Sequence, residues 1–177
     1  MKKYEFTGET KEIKLLFRTT VLHRIRATVS FGFVKIGDLG GWIEKEENLS
    51  HEGKAWVWGN AKVWGNAKVW GNAEVCGDAK VWGNAEVWGN AEVFSASHVL
   101  VIGAIGSRND FTTFYRDKDN EITVKCGCFL GKIDRFLEKV TQTHGDSKYA
   151  LVYRAAVEVA KLQIDLSGEA PKDADEE

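Results

Sequence analysis

Between Ile105 and Lys125 the chain concentrates side chains suited to holding an anion. Residues 106–116 read Gly-Ser-Arg-Asn-Asp-Phe-Thr-Thr-Phe-Tyr-Arg. Arginine forks match phosphate or carboxylate oxygens, and hydroxyls with backbone N–H groups complete such sites. Ser107, Arg108, Asn109, Asp110, Thr112, Thr113, Tyr115, Arg116 and Lys125 therefore form the candidate ligand-binding set, with Tyr115 either stacking on a planar group or packing in a core. The competing reading is a polar turn held by an internal Arg108–Asp110 pair.

Cys126, Cys128 and His144 are candidate metal ligands. Their Cys-x-Cys spacing is not the Cys-x-x-Cys of common zinc sites, and buried cysteines behave as small apolar side chains. No metal and no cofactor is expected. The odd number of cysteines, 3, gives no sign of a disulfide scaffold.

What must position these residues is dominated by a repeat. From Ala55 through Ala96 the six-residue unit Ala, charged, Val, Trp, Gly, Asn recurs, and Ser97–Ile102 forms a degenerate last unit. This period does not fit a helix. It fits a short strand plus a corner, with Ala and Val facing one way and the charged residue and Trp the other. Gly-Asn suits the corner. Three units close one coil of 18 residues, which predicts stacks of Val57 on Val75 on Val93, Val63 on Val81 on Val99, and Val69 on Val87. Outside, Trp58 shares a column with Cys76 and Phe94, Trp64 with Trp82, and Trp70 with Trp88; Lys68 stacks near Glu86, but Lys62 stacks on Lys80. Trp58, Trp64, Trp70, Trp82 and Trp88 either stabilise the stack or form an oligomer interface, since contiguous apolar surface marks contacts.

Residues 1–35 alternate as a small β-rich cap, with Leu22, Arg24 and Arg26 on one strand face and His23, Ile25 and Ala27 on the other. The repeat segment is predicted over 36–106, with Gly41 and Ile43 in the Ala and Val slots, Leu49 six later, and a two-residue insertion at Ser50–Lys54. An α+β module follows over 107–166. A hairpin turns at Asp117–Asn120, with Phe111, Thr113, Tyr115, Ile122, Val124, Cys126 and Cys128 on one face. Thr112, Arg116, Glu121, Thr123 and Lys125 take the other, with Phe114 and Phe129. Two helices carry the stripes Ile133, Phe136, Leu137, Val140 and Tyr149, Val152, Tyr153, Ala156, Ala160, and are placed to cover the open end of the repeat. The segment 167–177 reads as an acidic disordered tail.

The repeat resembles the hexapeptide-repeat left-handed parallel β-helix family. Together with Arg24-Ile25-Arg26-Ala27, Phe33-Val34, Gly37-Asp38, Gly40-Gly41-Trp42 and Asn48-Leu49-Ser50, it is similar to a group of uncharacterised prophage and bacterial hexapeptide-repeat proteins, some labelled acetyltransferases on the repeat alone. The resemblance implies a mainly-β left-handed parallel β-helix, a homotrimer with parallel axes, and acyl-CoA chemistry using a histidine base. His23, His51, His98 and His144 are the candidates for that base. His98 falls in an outward slot above Lys62 and Lys80, His51 lies in the corner insertion and His144 precedes a helix-ending glycine; none has an orienting partner in the sequence, and the long protruding loop of such transferases is missing.

The net charge of −2 gives no basic field for a nucleic acid polymer, and no apolar run approaches membrane-spanning length. The first residues lack the apolar core of a signal peptide. The expectation is a cytoplasmic, non-catalytic phage-type binding protein that holds an anionic, nucleotide-like small molecule and sequesters a host signalling nucleotide. An acyl(acetyl)transferase is the alternative, and a structural or polymerising solenoid the third reading.

Overall fold

The structure, a computed structural model, describes residues 2–167. Its architecture is mixed. Strands β1 (Tyr4–Lys14) and β2 (Thr19–Ala27) form a long antiparallel hairpin, and β2 pairs antiparallel with β3 (Leu39–Ile43). Seven two-residue strands follow, from β4 (Trp56–Val57) through β5 (Lys62–Val63), β6 (Lys68–Val69), β7 (Glu74–Val75), β8 (Lys80–Val81) and β9 (Glu86–Val87) to β10 (Glu92–Val93). Next comes the antiparallel meander β11 (Val99–Ile105), β12 (Asp110–Arg116), β13 (Ile122–Cys126) and β14 (Phe129–Lys132), then α1 (Ile133–His144) and α2 (Lys148–Gln163).

This corrects the expected fold class. Among the described residues no sustained left-handed parallel β-helix is formed. Parallel pairing is confined to short ladders, β3–β5–β8, β4–β7–β10 and β6–β9, while the longer strands at both ends pair antiparallel and two helices add a further layer. The physical reason lies in the unit. Each repeat leaves two extended residues before a glycine at positive φ, such as Gly65 (φ 71) or Gly83 (φ 69), turns the chain. Within those ladders the valines do meet in register: Val57 with Val75 with Val93, Val63 with Val81, and Val69 with Val87. All of these valines are fully buried, as are the alanines that open each unit, from Ala55 to Ala91.

The lead-in is built for close approach. A Cβ on Gly41 would lie 2.7 Å from the Ala61 carbonyl oxygen and the Val57 side chain, and one on Gly40 would lie 2.5 Å from Ile25. Asn48 is buried and donates its amide to the Ala67 carbonyl at 2.8 Å, so it satisfies repeat backbone from a corner.

Several further expectations change. Val99 does not stack on Val81; it pairs antiparallel with Tyr115. The C-terminal sheet thus begins inside the segment assigned to the repeat. Phe111, expected on one hairpin face with Tyr115, is 38% exposed while Tyr115 is buried. The hairpin faces are also corrected: Thr113 pairs with Lys125, Phe114 with Val124 and Tyr115 with Thr123. Tyr115 consequently joins the core of the repeat, whereas Phe114, Ile122 and Val124 pack with the helices. The sheet, not the helices, covers the end of the repeat, and α1 and α2 lie on the sheet's other face. Residues 168–177 of the expected tail lie outside the described residues.

Among the described residues no helix is long and apolar enough to cross a membrane.

Candidate functional site

The antiparallel meander brings two turns and two helices around one cleft of about 250 Å³. The β11–β12 turn contributes Ser107, Arg108 and Asp110. The β13–β14 turn contributes Cys126, Gly127, Cys128 and Phe129. Helix α1 projects Phe136, Lys139, Val140, Thr143 and His144, and α2 supplies Tyr153. Residues 136, 140 and 144 share a helix face, with 139 and 143 on its flank, because side chains three or four apart are neighbours.

Aromatic rings form one wall. Phe136 packs edge-on to Tyr153 at 5.6 Å and against Phe129 at 5.2 Å, and His144 stacks on Tyr153 at 5.8 Å and 29°. Glycine is required at 106, where a Cβ would sit 1.9 Å from the Tyr153 hydroxyl. That hydroxyl is pushed up to about 12, chiefly by burial and next by Cys126, so it remains a neutral donor near pH 7. Arg108 reaches across the mouth: its Nη1 lies 3.6 Å from the position of a Cβ on Gly127.

The Arg108–Asp110 pair of the competing reading is not formed. Among the described residues Arg108 and Lys139 make no ion pair, and Asp110 instead accepts the Phe111 N–H at 2.8 Å. Two unneutralised cations therefore face a cleft with an aromatic wall and the hydroxyls of Ser107, Thr143 and Tyr153.

The rest of the sequence-derived set separates from this cleft. Asn109 sits at φ 50 in the turn, its N–H bonded to the Gly106 carbonyl. Thr112 is buried and donates to Cys126 Sγ at 3.2 Å, and Thr113 accepts the Glu86 N–H at 3.0 Å. Tyr115 donates to the Trp88 carbonyl, and burial pushes its hydroxyl up. Arg116 is buried, lies 4.3 Å over the Phe94 ring and donates to Asn120. Lys125 is engaged by Glu86 at 3.2 Å above Trp88, in a second groove of about 400 Å³ that meets the cleft at Asp110 and Gly127. Sequence reasoning missed Lys139, Thr143 and Tyr153 as cleft residues. The spacing of Lys139 and Thr143 beside the Phe136–Val140–His144 stripe was the available signal.

The histidines are also redistributed. His98 is not outward: it is 2% exposed against Phe94, and burial followed by Arg116 lowers its pKa. His51 does have a carboxylate beside it, with Nε2 3.9 Å from Glu46, while Nδ1 accepts the Lys3 N–H at 3.1 Å. It stacks on Tyr4 and lines neither cavity described above. Cys126, Cys128 and His144 line the same cleft, but among the described residues no cluster of three metal-ligating side chains forms.

Of the tryptophans expected outside, Trp64 is 5% exposed beneath Leu22, Ile13 and Leu15 of the N-terminal hairpin, so its face is covered from within the chain. Trp58, Trp70 and Trp88 are half-buried, and Trp82 is 61% exposed. The paired columns do stack, Trp64 on Trp82 at 6.0 Å and Trp70 on Trp88 at 5.3 Å.

No protein-family model matches this chain, and no curated protein matches it.

Proposed function

We propose that the protein is a non-catalytic binding protein for a small anionic molecule carrying a planar ring, nucleotide-like in chemistry, held in the cleft between the β11–β12 turn and α1. One observation supports this above the others: Arg108 and Lys139 approach a single cleft without carboxylate partners, beside the rings of Phe136, His144 and Tyr153. Unneutralised cations favour an anion, and charge-assisted bonds contribute roughly 1.5–3 kcal/mol each. The ring wall favours a planar group. In this role the protein acts stoichiometrically, by sequestering a signalling nucleotide.

Calorimetric titration with adenosine and guanosine mono- and dinucleotides, and with acetyl-CoA, tests the reading. A nucleotide is expected to bind, and Arg108→Ala or Lys139→Ala to weaken it at least tenfold, with little change in Tm. Absence of binding by every probe at millimolar concentration overturns it. Binding of acetyl-CoA with transfer to an amine or hydroxyl replaces it by the acyltransferase reading.

A further inference from the structure

The outer side of the β3–β5–β8 ladder carries a charge arrangement that a folded protein ordinarily avoids. Residues in register on neighbouring strands stack, and like charges so placed repel. The β6–β9 ladder pairs Lys68 with Glu86. The β5–β8 ladder pairs Lys62 with Lys80. The N-terminal hairpin then adds Lys11, whose ammonium lies 4.5 Å over the ring of Trp42, and Trp42 is itself in register with Lys62. Burial holds the Lys62 ammonium below the usual lysine range, and Lys11 and Lys80 lower it further; Asp78 acts in the opposite direction. Among the described residues none of these three lysines has a carboxylate within ion-pair distance.

Beside this column the rings of Trp64 and Trp82 lie parallel, 6.0 Å apart and 8° from coplanar. The hairpin buries Trp64 and stops there. Trp82, the next ring in the column, is 61% exposed. An open indole face next to ammonium groups with no carboxylate at ion-pair distance suits an anion that also carries a stackable ring.

We propose that this face binds single-stranded nucleic acid, with one base stacked on Trp82 and the flanking phosphates held by Lys62, Lys80 and Lys11. A duplex does not fit the arrangement, because its bases are already stacked and hide their faces. A second copy of the chain does not fit it either: an isologous contact would set one lysine column against the other. The whole-chain charge of −2 conceals the site, since acidic residues elsewhere offset a local excess. Binding is correspondingly short-range and salt-sensitive. The site shares no residue with the cleft around Arg108 and stands independently of its ligand.

The test is fluorescence anisotropy of a labelled oligothymidylate between about 50 and about 200 mM salt, where each phosphate contact on a single strand contributes a slope of about −0.7 in log K against log salt. Three lysines predict a slope near −2, by roughly three such contacts. Trp82→Ala should weaken binding at least tenfold, and Lys80→Ala should lower the slope by about one contact's worth, about 0.7. Circular dichroism and Tm establish that both variants fold. No binding at the lowest salt overturns the proposal. So does binding indifferent to Trp82→Ala, which would mark simple polyanion attraction. A change in protein mass on Trp82→Ala without nucleic acid would also overturn it, by making the face a contact between copies.

Discussion

The Tyr115 hydroxyl donates to the Trp88 carbonyl oxygen at 3.0 Å, across the seam between the C-terminal sheet and the last repeat units. Nearby, Thr113 accepts the Glu86 N–H at 3.0 Å and the Asn90 carbonyl accepts the Lys118 N–H at 3.0 Å. These bonds satisfy backbone groups that β9 and the following corner would otherwise present as an unpaired edge. Positions that looked like ligand contacts in the sequence hold the fold together here.

Tyr115→Phe is expected to destabilise the protein by about 1–3 kcal/mol, because the part-buried Trp88 carbonyl loses the hydroxyl that donates to it. Thr113→Val, nearly isosteric, removes the acceptor of the Glu86 N–H and should fall in the same range. Neither should alter ligand affinity in the cleft. Urea unfolding midpoints with unchanged m-values would bear this out. A loss of affinity at full stability would return Thr113 and Tyr115 to the site.

Arg108→Ala and Asp110→Ala separate the two meanings of the β11–β12 turn. Since the two side chains form no ion pair, each substitution should shift Tm by little, within the usual surface range of about 0.5 kcal/mol. Arg108→Ala should cost the anionic ligand at least tenfold in affinity, or about 1.4 kcal/mol. Differential scanning calorimetry beside calorimetric titration reads both. Matched losses of Tm in the two variants, with affinity intact, would show that the pair forms in solution.

Lys3 and Tyr4 set an alkaline signature. Lys3 is buried, donates to the Ala55 carbonyl at 2.7 Å, and burial lowers its pKa from 10.5 to about 8. Between about pH 8 and 10.5 the unfolded chain holds a proton that the folded chain has released, so this lysine makes stability rise with pH in that window. Tyr4 acts oppositely. Burial raises its hydroxyl well above 10.0, so above that value the unfolded chain loses a proton that the folded chain keeps, and stability falls. Tm measured across this range should climb and then drop. Lys3→Met should flatten the climb and leave the drop; an unchanged climb would assign it to another group.

How far the sequence reached depends on whether a feature is local. The valine register of the short ladders was legible because each unit repeats its own two-residue strand. The degenerate last unit was not, because Ser97–Ile102 lacks the Gly-Asn corner, and β11 therefore runs straight and turns back antiparallel. The hairpin faces failed by one residue. A turn of Asp117–Asn120 would place Arg116 opposite Glu121, but the Asp117 carboxylate accepts the N–H groups of Asp119 and Glu121, the turn lengthens, and Arg116 faces Ile122. A slip of one sends every side chain on the returning strand to the other face. Arg108 was found because its turn is short and polar. Lys139 and Tyr153 were missed because only the packing of α1 and α2 on the sheet brings them to it.

The covered and uncovered members of one tryptophan column give the sharpest contrast. Trp64 lies under Leu22, Ile13 and Leu15, residues far earlier in the chain that no repeat pattern could place there. Trp82 stacks on it from the other side and keeps most of its surface in water. Trp64→Ala should therefore cost about 3–5 kcal/mol, the range for a buried large aromatic, and should release the β1–β2 hairpin from the repeat. Trp82→Ala should cost about 1 kcal/mol, mainly the ring pair. Amide hydrogen exchange locates the effect: protection in β1 and the first half of β2 should collapse in Trp64→Ala and persist in Trp82→Ala. Trp64→Lys, which would dissociate an oligomer if that ring were a subunit contact, should instead unfold the hairpin with no change in mass by light scattering. A clean drop in mass with β1 protection retained would place a second subunit, not the hairpin, over Trp64.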